Sequence, residues 1–551
     1  MTPRTSAAAA CALLAACATP LASAPHDAAS YADHLVGRVA HLRQDHAAAA
    51  DRYFAALQRE PRNDALLSGA VTASLAAGDI ARARQAARMA PREDAPAYAH
   101  VVRAADHLAA GRNRAAAEEL NRAEGGAAEA LVARMISVWA RAAEGRVEDV
   151  IVDLAPLASI RPYGGLFAYQ QAMALDYAGR NEEALTNYAA AADGGMFLPP
   201  AIERHADLLA RAGRRGEALA VLGREANASN PALVAARERL VASQPVAATR
   251  LTAAQGAAVG LYGLAAIFQQ ESDATHALAA LTLALMLDPQ LDAAHLMFAQ
   301  VQSSLGHPEL ARAALSRIAA QSPYANTARV MQAWTLIDEE REEEGLAMAR
   351  AAAEDGNLRA RRALADIYRN LERYADAEPI YTELIAANGD DWRLYFSRGA
   401  ARERLRRWPE AEADLRRALE LSPEQPEVMN YLGYTWVDRG EHLEEGLAML
   451  RRAVELRPHS GAIIDSLGWA YFRMGEYARA LEYLERAVEL EPADPTLNDH
   501  LGDVYWRLGR RIEARFQWQR ALSFDPDNRE AIEAKLERGL PEEPAARSAT
   551  R

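Results

Sequence analysis

His34 and His41 stand seven residues apart and could share one helix face, which makes them the first pair in this chain with metal-ligating chemistry. No third ligand follows at metal-site spacing. The other histidines, including His46, His100, His107, His205 and His276, occur singly, with no H-E-x-x-H pair and no accompanying carboxylate cluster. They are expected to be solvated or locally hydrogen-bonded. Cys11 and Cys17 both lie in the first segment, so the rest of the chain can form neither an intramolecular disulfide nor a thiolate metal site. Glycines fall at turns between helical stretches and not in a strand-to-helix loop, so no phosphate cradle is supported, and no serine sits in a nucleophile elbow. The expectation is a non-enzyme without cofactor, metal or small-molecule substrate.

The positioning elements are helical. Residues are 50% hydrophobic and 25% charged, a globular composition, and alanine recurs throughout with Leu, Glu and Arg, which favours closely packed helices. A formal net charge of -14 argues against a general nucleic-acid binder, because that task needs a basic surface to displace counterions from phosphates.

The leader MTPRTSAAAACALLAACATP carries an early Arg4, an apolar run too short for a reliable membrane span, then small residues. Leu14-Ala15-Ala16-Cys17 resembles a bacterial lipobox, which implies lipidation of Cys17 and loss of residues 1–16 as a signal peptide. Cys11 lacks a Leu at the corresponding upstream position. The competing reading is an ordinary secretory signal cut near Ala22-Ser23-Ala24. By resemblance to Gram-negative lipoproteins, Ala18 is not an inner-membrane retention signal. That implies an outer-membrane lipoprotein facing the periplasm.

Gly78, Gly111, Gly145, Gly179 and Gly213 are spaced 33, 34, 34 and 34 residues apart, each between two Ala-rich helical stretches. Downstream, Gly399, Gly433, Gly468 and Gly502 mark a similar period in the first helix of each unit, and Pro423, Pro458, Pro492 and Pro526 close the second. A 34-residue period with two helices per unit is the tetratricopeptide signature, and the chain resembles that family most strongly from about residue 395 to 530. In the best unit Leu467 and Gly468 form the Leu-Gly pair. Tyr471, Gly475, Ala480, Ala487 and Pro492 take the aromatic, turn, small, second small and terminal positions. Tyr483 or Leu484 is the bulky one.

About six units are expected from Tyr31 to about residue 225 and eight from about 258 to 530. The expected organisation is a tether over 17–30, an N-terminal degenerate array over 31–225, an irregular junction over 226–257, a C-terminal array over 258–538 and a disordered tail over 539–551. Leu154 to Gly165 and Gly194 to Pro200 read as loops at unit junctions. The fold class is all-α, a solenoid of helical hairpins, and the family implies a right-handed superhelix with a long concave face.

The family's concave positions fall on Asn430, Tyr434 and Asp438, then Asp465, Trp469, Phe472 and Arg473, then Asp499, Asp503, Trp506 and Arg507. Rings supply buried area and Asn or Asp can fix a backbone, which suits a peptide or protein segment. The competing readings are that Trp469 and Trp506 pack between hairpins, and that Asp465 and Asp499 are helix caps. Arg451-Arg452 and Arg510-Arg511 read as solvated or helix-end charges.

A closer resemblance rests on Leu432-Gly433-Tyr434, the extra residue in the Asp438–Glu444 turn, Asp465-Ser466-Leu467-Gly468-Trp469, His500-Leu501-Gly502-Asp503 with Trp506, and Trp518. These are similar to the carboxy-terminal end of outer-membrane lipoprotein adaptors of periplasmic C-terminal processing proteases. The resemblance implies a scaffold that recruits and activates such a serine protease and presents peptidoglycan hydrolases to it. The alternative is a lipoprotein scaffold for another envelope assembly, such as pilus or secretin assembly or exopolysaccharide export.

Overall fold

Asn63 accepts from the backbone N–H groups of Ala65 and Leu66 and so starts a helix at Asp64, and Gly78 ends the turn after it at φ +76°. The same device recurs at Gly111, Gly145, Gly179 and Gly213, all with positive φ. Other hairpins place Gln44, Ser272, Glu340, Glu372 or Arg406 in that left-handed conformation, at φ between 55° and 63°. The spacing of glycines therefore traces only part of the array.

The computed structural model describes residues 28–247, 249–354 and 356–541. Cys11, Cys17, the leader and residues 542–551 of the tail lie outside the described residues. Among the described residues no helix is long and apolar enough to cross a membrane. The chain divides into two compact units between Ala352 and Ala353.

The N-terminal unit opens with six hairpins: α1 (Ala28–Leu42) with α2 (His46–Leu57), α3 (Asp64–Ala76) with α4 (Ile80–Met89), and α5 (Ala97–Ala109) with α6 (Asn113–Leu120); then α7 (Ala127–Ala143) with α8 (Val147–Ala158), α9 (Gly164–Tyr177) with α10 (Asn181–Asp193), and α11 (Pro199–Arg211) with α12 (Arg215–Leu222). A 3-10 turn, Glu225–Asn227, and α13 (Pro231–Val241) follow. Then come α14 (Ala253–Gln270) with α15 (Ala274–Leu287), α16 (Asp292–Ser304) with α17 (Pro308–Leu315), and α18 (Ala325–Asp338) with α19 (Glu342–Ala353). The stretch read as a loop from Leu154 is helical through Ala158, with Pro156 inside the helix. Gly164 already begins α9, packed so tightly that a Cβ there would lie 2.3 Å from the Ala158 carbonyl oxygen.

The apolar character of α14 and α15 runs all round the helix, and both are buried on nearly every side. They pack along the first helices α3, α5, α7 and α9 of the preceding hairpins. Gly256, Gly260 and Gly263, spaced for one helix face, lie against Trp139, Met135 and Leu166. Thr282 donates to the Leu75 carbonyl at 2.7 Å and Gln302 to that of Ala76 at 2.9 Å. This is why the compact division falls at Ala352–Ala353 and not in the 226–257 segment. The hairpins after that segment fold back into the first array and share its core.

The C-terminal unit stacks α20 (Leu358–Asn370) with α21 (Tyr374–Ala387), α22 (Trp392–Arg404) with α23 (Trp408–Leu421), α24 (Pro426–Arg439) with α25 (Leu443–Leu456), α26 (Gly461–Arg473) with α27 (Tyr477–Leu490), and α28 (Pro495–Arg507) with α29 (Arg511–Ser523). The single helix α30 (Arg529–Arg538) closes the stack. Among the described residues six hairpins thus lie between 28 and 222, and eight between 253 and 523. The fold is an all-α solenoid of helical hairpins.

Candidate functional site

In α26 the residues facing α27 are small or aromatic. A Cβ on Gly468 would meet the Leu484 Cγ at 2.7 Å, Ala480 and Ala487 are fully buried, and Tyr471 is 3% exposed. Tyr471 stacks on Tyr483 with ring centroids 5.5 Å apart, and its hydroxyl accepts from Arg451 Nη2 at 2.8 Å. Gly399, Gly433 and Gly502 play the part of Gly468 in their hairpins, against Leu415, the Gly446 carbonyl oxygen and Trp518. Gly475 makes the turn at φ +77°, and Pro492 follows the end of α27 at Leu490. With one side of α26 committed to its partner, Asp465, Trp469 and Phe472 fall on another.

There Trp469 lies between two rings, Phe472 at 4.6 Å and 16° and His500 at 3.9 Å and 18°. Trp469 and Phe472 stay partly exposed. Asp465, 5% exposed, holds His500 through Nδ1 contacts of 2.9 and 3.0 Å. Burial disfavours a charged His500 ring, but the Asp465 carboxylate, aided by Asp499 and Asp503, outweighs it and raises the His500 pKa. Held by Asp465 and stacked on the indole, His500 fixes the plane that Trp469 presents. Asp465 is therefore not a cap: Ser460 caps α26 and Asp494 caps α28.

Beside this stack, Tyr434 is half-buried, and burial, with Asp438 and Asp465 nearby, raises its pKa. Arg473 pairs with Asp438 through both the carboxylate and the backbone carbonyl. Asn430 carries a buried Oδ1 with no hydrogen-bond partner. Such an acceptor is a hydrogen-bonding demand that the described residues leave unmet.

The last four positions are different. Lys535 of α30 places Nζ 2.7 Å from Asp499 Oδ1 and 2.8 Å from Asp503 Oδ2. Asn528 donates to Asp499, and Trp518 Nε1 donates to Asp503 at 2.9 Å. Trp506 packs on Trp518 at 5.5 Å, and Gly539 is so close that a Cβ would lie 1.9 Å from the Trp506 indole. Arg507 donates to the Pro541 carbonyl at 2.9 Å. Asp499, Asp503, Trp506 and Arg507 are thus engaged by the closing helix and the residues around it. A solenoid end needs such a cover for its last apolar face.

The remaining arginine pairs are ordinary. Arg452 pairs with Glu424 and Glu455, Arg510 with Glu513, and Arg511 lies over Trp506. The histidines do not converge on a metal geometry. His34 meets Tyr53 edge-on, and His41 meets His46, with centroids 5.0 Å apart. Among the described residues no group of three or more His, Cys, Asp or Glu side chains could hold a metal ion. His500, which orients Trp469, is not among the concave positions that the repeat pattern marks. Its signal is its spacing of 35 from Asp465, one repeat and one residue, which brings the two together on neighbouring first helices.

Residues 362–426, 401–461 and 466–529, all within the C-terminal unit, match the tetratricopeptide repeat family. No curated protein matches the chain. Among solved structures it is similar to a tetratricopeptide repeat protein from Parabacteroides merdae, at 18% identity over 44% of this chain and 96% of that one, with a TM-score of 0.38. It is also similar to the thermophilic repeat protein TTC0263 of Thermus thermophilus, at 20% identity over 33% and 97% with a TM-score of 0.30. A third is YrrB, described as a repeat protein with an unusual peptide-binding site, at 20% identity over 33% and 93% with a TM-score of 0.27.

Proposed function

We propose that the protein is a scaffold that takes an extended segment of a partner protein on the C-terminal unit, across Asn430, Tyr434, Asp465, Trp469 and Phe472. The observation that carries this reading is the stack of Phe472, Trp469 and His500. It holds a large aromatic surface rigid and partly exposed, and Asn430, on the neighbouring first helix α24, carries a buried acceptor without a partner among the described residues. Rigid aromatic anchors give contact area at low entropic cost. The occupied inner side of the N-terminal unit supports placing the partner on the C-terminal one.

In the fuller form of the proposal, Cys17 is lipidated and tethers the scaffold to the outer membrane on its periplasmic side. The partner is a C-terminal processing serine protease, which the scaffold activates, and peptidoglycan hydrolases are the cargo. Support comes from the lipobox-like Leu14–Cys17 and from the adaptor-like motifs around Gly433, Trp469 and Trp506. Tethering enzyme and substrate to one body makes their encounter nearly intramolecular.

The test is crosslinked affinity purification of the full-length protein from its own cell envelope, with wild type and Trp469→Ala side by side. Enrichment of a processing protease with a cell-wall hydrolase, lost in Trp469→Ala, is the expected result. Recovery of a pilus, secretin or polysaccharide-export complex with no protease above background sinks the protease reading and leaves the scaffold.

A further inference from the structure

In the N-terminal unit, the carboxyl end of α9, the turn into α10, the length of α11 and the extended residues 249–251 enclose a cleft of 850 Å³. That volume lies in the range of small-ligand sites. One wall is held by a largely buried ion pair. Arg204 Nε lies 2.5 Å from Asp176 Oδ2, and its Nη1 donates to the Thr249 carbonyl at 2.9 Å, which fastens the extended stretch to α11.

Arg211 stands seven residues on, two turns along the same helix face, and also lines the cleft. Its Nε is buried without a hydrogen-bond partner, and it makes no ion pair with any described residue. Buried guanidinium N–H groups are costly to leave unmet, and the rest of this side chain is without an ion pair where it lines the cleft. Asp207, one turn away, makes no hydrogen bond or ion pair with it; burial, then the neighbouring Glu203, pushes that carboxyl up to about 6, while Arg239, Arg211 and Arg204 pull the other way. Arg250, exposed and likewise without an ion pair among the described residues, adds a second free cation to the lining. Glu182 lines the cleft as well, and Leu208 and Leu251 offer carbon surface.

We infer that this cleft binds a carboxylate ligand, with Arg211 and Arg250 receiving the anion and Leu208 and Leu251 covering the carbon next to it. Arginine suits the task because its planar fork matches a carboxylate in two parallel hydrogen bonds. Two sources share this chemistry, a small dicarboxylic acid and the free carboxyl end of a peptide. The site is separate from the aromatic face and does not depend on how that face is used.

Calorimetric titration of the full chain near neutral pH and low ionic strength tests the inference. The probes are succinate, the tripeptide Ala-Ala-Leu with a free carboxyl end, and the same tripeptide amidated. Saturable binding of a free-carboxylate probe but not of the amide is expected, weakened about tenfold or more by Arg211→Met and by Arg250→Gln. Binding of succinate alone assigns a small acid, and binding of the free tripeptide alone assigns a chain end. The inference is overturned if neither free carboxylate binds, if the amide binds equally well, or if both variants keep wild-type affinity. Should Arg211→Met fail to fold, the exposed Arg250→Gln decides alone, with its melting temperature as the control.

Discussion

Gly256 lies so close to Trp139 that a Cβ on the glycine would meet the indole Cη2 at 2.3 Å. The indole cannot yield, because its Nε1 donates to the buried Gln170 at 2.7 Å and its ring abuts Tyr177. Gly256→Leu is therefore expected to destabilise the N-terminal unit by roughly 3 kcal/mol, read as a lowered urea midpoint. Gly260→Ala meets the flexible Met135 side chain instead and should cost only about 1 kcal/mol. Equal effects at the two sites would contradict the packing of α14 against α7.

Among the described residues Lys535 is the cation in direct ion-pair contact with Asp499 and Asp503, whose side chains are 5% and 6% exposed. Lys535→Met leaves two buried carboxyls without their ion pair and should cost about 3 kcal/mol in the C-terminal unit. The triple variant with Asp499→Asn and Asp503→Asn should recover part of that loss. Differential scanning calorimetry of the three proteins checks both statements.

Trp469 and Trp518 separate anchoring from core packing. Trp518 is fully buried, so Trp518→Ala should cost about 3–5 kcal/mol and unfold much of the unit. Trp469→Ala should leave far-ultraviolet circular dichroism near wild type yet weaken partner capture about tenfold or more. Loss of helicity in Trp469→Ala would place that residue in the core instead.

Acidity should act on the N-terminal unit through two histidines. Burial, then His41 and His307, holds His46 down at about 4; burial, then Arg224 and Arg214, does the same to His205. Above the ordinary value of 6.5 their contribution is intact. As the pH falls toward about 4 the unfolded chain takes up protons that the folded one refuses, at a cost on the order of 3 kcal/mol per group. His276 works in the opposite direction: burial opposes its charge, but hydrogen bonds to Asp273 and Glu129 prevail and lift it to about 9. Its contribution is complete below 6.5 and disappears as the pH rises to about 9. Melting temperature should peak near pH 6.5, where all three contributions are present, and His46→Gln should flatten the acid limb.

Arg406 turns its hairpin at φ 60° without being glycine. Arg406→Gly should stabilise the C-terminal unit by up to about 1 kcal/mol, and Gly475→Ala, at φ +77°, should destabilise it by about as much. Thermal unfolding of the pair reads both signs.

Helical hairpins with glycine turns and proline stops were legible because each depends on neighbours within one repeat. Gly468, Tyr471, Ala480 and Ala487 sit where the 34-residue period puts them, since a hairpin's own packing dictates their size. The site was legible only in part. Asp465 and Trp469 are on the expected helix, but that Asp465 serves His500 depends on how α26 and α28 lie side by side.

The sequence by itself determined the helical class, the hairpin period and the residues that close each hairpin, because those forces act over a few turns of chain. Tertiary structure alone decided which faces remained open. The Gly256, Gly260 and Gly263 face of α14 is a periodic signal in the chain, yet only the fold shows that it fills the first array against Trp139. Likewise only the placement of α30 turns Asp499, Asp503 and Trp506 from an open surface into a cap. The physical reason is range: burial and charge pairing are settled between helices that the chain itself separates by about thirty to more than a hundred residues.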